Sequence, residues 1–147
     1  MTLSRRQFVS SAAAASVLPA FKAFATVDEA AAIVEKILAG QQATVGRVTL
    51  EIPALVENGN LVTMKVLVES PMTEADYVKA IHIVAEGNPL PNIVSFYLSW
   101  RAGRAAITTR IRLGDSQRVR AIAQLSDGSF WQGDAATLVT IAACIET

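Results

Sequence analysis

Residues 48–68 read VTLEIPALVENGNLVTMKVLV and contain two stretches in which apolar and polar residues alternate. The first stretch runs from Val48 to Ile52 and the second from Val62 to Val68. Between them, Asn58-Gly59-Asn60 is typical of a tight turn. Alternation with a period of two indicates strands with one face buried and the other in water. The segment therefore predicts two β-strands joined by a turn.

Five further segments toward the C-terminus have strand patterns and are separated by turn or loop residues. They run from Tyr77 to Ala85, Ile93 to Trp100, Ala105 to Arg112, Val119 to Leu125 and Thr137 to Ala142. About seven short strands at this spacing are typical of an immunoglobulin-like antiparallel β-sandwich. We therefore expect an all-β domain over residues 41–141, with a core large enough to fold without disulfides.

A short helix is predicted before the strands, over residues 26–40. Its apolar residues recur at helical spacing and form one stripe, made of Ile33, Val34, Ile37 and Leu38. Asp28 can cap the start of this helix, and Gly40 can end it.

The N-terminus has the regions of a secretion signal. The adjacent Arg5 and Arg6 are followed by Phe8, and residues 9–18 carry no charge. A twin-arginine pair in this setting specifies the bacterial route that exports folded proteins. The apolar run of about ten residues is shorter than the roughly 20 that cross a bilayer, so we expect no stable membrane insertion. An amphipathic helix packed on the domain is disfavoured because residues 9–18 are apolar or small on every face.

The cleavage region of this signal is the small-x-small sequence from Ala23 to Ala25. We therefore expect residues 1–25 to be removed and the mature protein to be periplasmic. This removal takes away three of the 13 basic residues and no acidic residue, so ten basic residues remain against 13 acidic ones. The slightly acidic balance gives no reason to expect nucleic-acid binding, which depends on a clustered positive face.

Six arginines are nevertheless concentrated in one part of the mature chain: Arg101, Arg104, Arg110, Arg112, Arg118 and Arg120. The favoured interpretation is that they occupy solvent-facing positions on strands. The alternative is a single face that attracts anions.

Groups that support catalysis or metal binding are few. The chain has one histidine, His82, and one cysteine, Cys144, and they lie far apart on segments of different type. We therefore expect no metal site, and no phosphate-binding loop or nucleophile elbow is present in the sequence. His82 lies between Ile81 and Ile83 and is interpreted as an outward-facing strand residue. With so few acid or base groups, we expect neither a resident cofactor nor a self-contained enzyme.

Cys144 lies three residues from the C-terminus. A lone cysteine in an exported protein cannot form an internal disulfide, so it is a bystander, a partner in an intermolecular disulfide, or a working thiol. A chain end is usually accessible, which favours a reachable sulfur. The residues alone leave these alternatives open.

Seven segments spread over most of the chain carry a family resemblance. They are residues 50–53, 57–60, 69–79, 81–82, 86–91, 109–113 and 126–129, and they include Ser70-Pro71-Met72-Thr73 and Asn88-Pro89-Leu90-Pro91. In combination they resemble SoxY, the sulfur-carrier subunit of the periplasmic thiosulfate-oxidising Sox system. The twin-arginine signal agrees with this resemblance.

The resemblance implies a carrier rather than an enzyme. In that family, sulfur intermediates are bound covalently to a cysteine on a C-terminal arm, which corresponds here to Cys144 within residues 142–147. The resemblance implies an immunoglobulin-like domain paired with a second small β protein, SoxZ. It also implies transient contact with a heme enzyme that couples thiosulfate to the cysteine, a hydrolase that releases sulfate, and an oxidase that acts on the remaining sulfane sulfur.

The C-terminal arm departs from the family pattern. The family's arm reads Gly-Gly-Cys-Gly-Gly, whereas Ala142, Ala143 and Ile145 surround the cysteine here. These residues restrict backbone angles that glycine permits. Three interpretations follow: a divergent sulfur carrier, a SoxY-like binding or structural subunit that pairs with a SoxZ-like partner without carrying sulfur, and a thiol enzyme using Cys144 with His82. The last is disfavoured because no third group is identifiable to orient the base.

Overall fold

The computed structural model describes residues 27–143. The predicted signal sequence, with Arg5, Arg6, Ala23 and Ala25, lies outside the described residues. Cys144 also lies outside them, directly after the last described residue.

One α-helix, one 3₁₀ turn and nine β-strands make up the regular structure of the described residues. Their bounds are α1 Val27–Leu38, β1 Ala43–Val45, β2 Val48–Glu51, β3 Leu55–Val56, β4 Val62–Val68, β5 Val78–Ala85, β6 Asn92–Tyr97, the 3₁₀ turn Trp100–Ala102, β7 Ala105–Ile111, β8 Gln117–Leu125 and β9 Phe130–Val139.

The strands form two sheets that pack face to face. The larger sheet has the order β1-β9-β8-β5-β6, with β3 also paired to β9, and the smaller has the order β2-β4-β7. All pairings are antiparallel except those of β1 and β3, which run parallel to β9. The predicted all-β, immunoglobulin-like sandwich with a short N-terminal helix is therefore confirmed.

Two of the nine strands were not predicted. β1 has three residues and β3 has two, and both exist because β9 offers them a backbone partner. Segments this short contain too few residues for an alternating pattern, so their pairing is decided by tertiary structure.

Two of the predicted strands have the wrong bounds. The final strand was expected from Thr137 to Ala142, but β9 begins at Phe130, directly after the Ser126–Ser129 turn, and ends at Val139. Small residues such as Gly133 hide the alternation in this strand. Position 133 requires glycine, because a Cβ there would collide with the carbonyl oxygen of Val48 on β2. The strand expected from Ile93 to Trp100 ends at Tyr97.

The main core lies between the two sheets. In β4, the four alternate residues Val62, Met64, Val66 and Val68 are buried, while Thr63 and Lys65 are exposed on the outer face. Burial of each such side chain stabilises the fold by about 1.5–3 kcal/mol, which explains why this alternation alone fixes the register of the strand.

A second, smaller core lies on the outer face of the larger sheet, beneath α1. There Val84, Ile122 and Phe130 are buried, and the apolar stripe predicted for the helix packs on them. Asp28 was expected to cap the helix, but it lies within the first turn. There its negative charge interacts favourably with the positive end of the helix dipole. Gly40, with φ of 83°, follows the helix end in the left-handed conformation. No helix within residues 27–143 is long and apolar enough to cross a membrane.

Candidate functional site

The C-terminal segment that leads to Cys144 is hydrogen-bonded to the rest of the domain as far as Ala143. After β9 ends, the Thr140 amide donates to the carbonyl of Val56 at 3.0 Å. The carbonyl of Ile141 then accepts from the Gly59 amide at 2.8 Å, and the Ala143 amide donates to the carbonyl of Leu113 at 3.1 Å. The chain is therefore hydrogen-bonded to neighbouring segments up to the residue before the cysteine.

Gly59 lies at the centre of this arrangement. Its carbonyl accepts from the Leu113 amide at 2.8 Å, so Gly59 is hydrogen-bonded both to the β7–β8 loop and to Ile141. A Cβ at Gly59 would collide with the carbonyl oxygen of Leu113 and lie 2.9 Å from the amide nitrogen of Ala143. Only glycine fits here because the three backbones approach too closely for a side chain. The sequence predicts the turn at Gly59, but the contact with the chain end appears only in the fold.

The loop that carries Leu113 is itself held by a buried amide. Asn88 is buried, its Nδ2 donates to the carbonyl of Arg112 at 2.9 Å, and its Oδ1 accepts from the Gly114 amide at 3.0 Å. The same oxygen accepts from Nε2 of Gln117 at 2.9 Å. Asn88 belongs to the Asn-Pro-Leu-Pro segment of the family resemblance, and its physical role is to fix the loop between β7 and β8.

A second contact joins that loop to β9. The hydroxyl of Ser116 accepts from the Val139 amide at 2.9 Å. The end of β9 is thus fixed on one side by the β7–β8 loop and on the other by β3 and the Gly59 turn. Sequence reasoning missed Asn88 and Ser116 as site residues, and the one signal for Asn88 was its place in the resemblance.

Exposed apolar side chains lie along the strands that approach the chain end. Leu55 and Leu138 are register partners and are 59% and 63% exposed, and Ile141 is 64% exposed. Ala143, by contrast, is only 8% exposed. Apolar side chains near this segment are therefore exposed to solvent, whereas Ala143, directly before Cys144, is buried.

His82 faces away from the main core, as predicted, but it is half-buried rather than fully exposed. Its Nδ1 lies 2.8 Å from the hydroxyl of Ser95 on β6, and its ring meets that of Tyr97 edge to face at 6.1 Å. Burial lowers the pKa of the imidazole, since the charged form is poorly solvated there.

The sheet register separates His82 from the C-terminal segment. His82 pairs with Ile122, five residues along β8 from Gln117, whose partner on β9 is Thr137. Five strand residues correspond to roughly 16 Å. This placement does not favour the interpretation of a thiol enzyme that uses Cys144 with His82.

The six arginines do not form one face. Arg104, Arg110 and Arg112 are exposed at alternate positions along and beside β7 of the smaller sheet. Arg118 and Arg120 belong to the larger sheet and pair with carboxylates, at 3.7 Å from Asp134 and 3.1 Å from Glu86 respectively. Arg101 lies in the 3₁₀ turn over the ring of Trp100, and Arg120 is only partly exposed. The six arginines are therefore divided between the two sheets and this turn, and only part of the expectation of solvent-facing strand positions is met.

Candidate metal ligands do not cluster in the described part of the chain. Within residues 27–143, no group of three or more His, Cys, Asp or Glu side chains is arranged so that it could hold a metal ion.

Comparison with protein families identifies one match. The family described as "Sulfur oxidation protein SoxY" matches residues 34–144. The matched range contains the sandwich and the tied C-terminal segment, and it ends at Cys144. No curated protein matches the chain.

Solved structures with this fold include a sulfur carrier and superoxide reductases. The sulfur carrier protein SoxY from Chlorobium limicola f thiosulfatophilum superimposes with a TM-score of 0.60 and 21% identity, over 76% of this chain and 99% of that chain. A superoxide reductase (neelaredoxin) from Ignicoccus hospitalis gives 0.56 and 18%, over 64% and 80% of the two chains. The superoxide reductase from Nanoarchaeum equitans gives 0.54 and 12%, over 65% and 99%. At these identities the likeness shows a shared fold.

Proposed function

Because the chain belongs to the SoxY family of sulfur oxidation proteins, we propose that it is a periplasmic carrier that holds sulfur intermediates covalently on Cys144 during thiosulfate oxidation. The observation that carries this proposal is the extent of the family match, which continues past the sandwich and includes Cys144 itself.

The chemistry of such a carrier requires one nucleophilic sulfur and enzymes that act on it. The Cys144 thiolate and thiosulfate together lose two electrons to a heme enzyme, and a bond forms between the cysteine sulfur and the outer sulfur of thiosulfate. A hydrolase then uses water to break the bond between the sulfane sulfur and the sulfonate sulfur. This step releases sulfate and two protons and leaves a persulfide on Cys144. An oxidase acts next on the sulfane sulfur of that persulfide.

The proposal includes the route and the partners. The twin-arginine pair Arg5 and Arg6 directs the folded protein to the periplasm, with cleavage after Ala25. A SoxZ-like subunit pairs with the sandwich, and the heme enzyme, hydrolase and oxidase bind transiently. The chain itself supplies the attachment point and contributes no catalytic residue, metal or resident cofactor.

A second candidate function is favoured by the residue directly before Cys144. Ala143 is buried and hydrogen-bonded, where the family pattern has flexible glycines. A SoxY-like subunit that binds its SoxZ-like partner without carrying sulfur would need no mobile arm, so this observation supports a binding or structural role.

Mass spectrometry separates the two functions. The intact periplasmic protein from cells grown with thiosulfate is expected to carry an added mass of sulfur or thiosulfonate that reduction removes. The variant Cys144→Ser, which keeps the size of the side chain, is expected to carry none. If wild-type protein is unmodified while another SoxY of the same cells is loaded, the carrier function is excluded and the binding subunit is favoured.

A further inference from the structure

Strand β7 is a free edge of the smaller sheet in the part of the chain that the structure describes. It pairs with β4 on one side, and the sheet order β2-β4-β7 ends with it. Backbone groups on the outer side of an edge strand have no partner in the sheet, so they can accept a further strand. Val48 of β2 closely approaches Gly133 of β9, so β7 lies at the opposite side of the sandwich, towards the edge strand β6 of the larger sheet.

The core is incompletely covered at this side of the sandwich. Ile107 lies on the inner face of β7, because its register partner Val66 is buried in the core. Phe96 lies on the inner face of β6 for the same reason, opposite the buried Ile81. Both Ile107 and Phe96 pack on the core but remain partly exposed. A further strand beside β7 would cover apolar surface here, and burial of apolar surface favours association.

The outer face beside the same edge is positively charged. Its four cationic side chains, which we call the basic row, are exposed and belong to Arg104, Arg110 and Arg112 on and beside β7 and to Lys65 on β4. None of the four forms an ion pair within residues 27–143. The acidic residues Glu51 on β2 and Glu69 directly after β4 lie on strands farther from the free edge. The edge itself is therefore positive.

We propose that the free edge of β7 binds an extended segment of a partner protein by strand addition, and that this segment alternates apolar and acidic residues. Successive side chains of an added strand point to opposite faces of the sheet. Those on the inner face cover Ile107, and those on the outer face lie about 5 Å from the side chains of β7, where acidic residues complement the arginines. A second copy of β7 is disfavoured as the occupant because it would bring two rows of arginines together.

A synthetic peptide tests this proposal on the intact mature protein. The probe is Val-Glu-Val-Glu-Val-Glu-Val, which matches the seven residues of β7 in length, and the control peptide has lysine in place of each glutamate. NMR spectra of isotope-labelled protein are expected to show shifted resonances and slower amide hydrogen exchange in β7 when the glutamate peptide is added. The lysine peptide is expected to leave these amides unchanged.

A charge reversal in the basic row gives the matched comparison. Arg110→Glu leaves the core untouched and is expected to weaken binding of the glutamate peptide about tenfold, because one attraction becomes a repulsion. Lys36→Glu makes the same change of charge at an exposed position on α1, which packs on the larger sheet, and is expected to change the affinity less than about twofold. Added salt is expected to weaken binding to the wild-type protein more than to Arg110→Glu.

Three results of these titrations would each overturn the inference: no binding of the glutamate peptide, equal binding of the lysine peptide, or equal losses in Arg110→Glu and Lys36→Glu. Self-association through β7, seen as a dimer in sedimentation that Arg110→Glu abolishes, would also contradict it. The inference concerns a surface of the sandwich and goes beyond the proposed function, since no result here depends on sulfur at Cys144. Failure of strand addition is therefore distinguishable from failure of the carrier function, which the mass measurement tests separately.

Discussion

At the scale of single residues, His82 couples stability to pH. Its folded-state pKa lies below the unfolded value of about 6.5, because burial disfavours the charged imidazole. The unfolded chain therefore binds more protons in this range, so this stabilising contribution is complete above about pH 6.5 and is lost as pH falls through the folded-state pKa.

We expect the free energy of unfolding of the wild-type protein to fall between about pH 7 and pH 5, measured by urea denaturation, and the variant His82→Gln to show a shallower fall. The change in slope between the two proteins isolates the histidine from the carboxylates, which are common to both. Parallel pH curves for the two proteins would contradict this account.

Asn88 is a second residue whose effect is predictable. Its side chain satisfies the carbonyl of Arg112 and the amide of Gly114, and the variant Asn88→Ala leaves both without that partner. We expect a loss of about 2–3 kcal/mol in the free energy of unfolding, measured by urea denaturation. The matched control is Asn92→Ala, on an exposed asparagine at the start of β6, with an expected change within about 0.5 kcal/mol. Similar losses in the two variants would show that the buried amide has no special role.

At the scale of elements, α1 is held to the larger sheet by its apolar stripe. Ile33 packs on the cluster of Val84, Ile122 and Phe130, whereas its neighbour Ala32 is exposed. The substitution Ile33→Asp is expected to destabilise the protein by about 2 kcal/mol, because apolar burial is lost and a carboxylate is placed against the sheet.

Ala32→Asp introduces the same carboxylate one position away and is the control, with an expected cost below about 1 kcal/mol from helix propensity alone. Thermal unfolding of both variants measures the difference. Equal costs would mean that the helix is not docked through this face.

At the scale of the whole molecule, the sandwich does not define the function. This chain shares its fold with superoxide reductases and with a SoxY sulfur carrier, each at no more than 21% identity to it, so the fold is a common scaffold. What is particular to this chain is how the scaffold holds its C-terminal segment, with Gly59, Leu113 and Ala143 joined before Cys144. The carrier and binding functions differ in whether Cys144, which follows that segment, carries sulfur, and the mass measurement tests this difference.

The sequence by itself determined the sandwich, the helix and the family. Alternation with a period of two identifies β2, β4 and β7, because burial of one strand face imposes that pattern on the residues themselves. The apolar stripe of α1 is likewise visible in a short stretch of sequence, because its residues recur at helical spacing. The family was identifiable because its segments, such as Asn88-Pro89-Leu90-Pro91, are contiguous in sequence.

Only the tertiary structure decided the two short parallel strands, the true start of β9 at Phe130, and the contacts of Gly59 and Leu113 with residues 141–143. These contacts, and the end of β3, join backbone groups that are distant in sequence: Val56 with Thr140, Gly59 with Ile141, and Leu113 with Ala143. A hydrogen bond between main-chain atoms leaves almost no signature in side-chain type, except where two backbones approach so closely that glycine is required. Gly59 therefore suggested a turn in the sequence, and only the fold shows that it contacts Ile141 and Ala143.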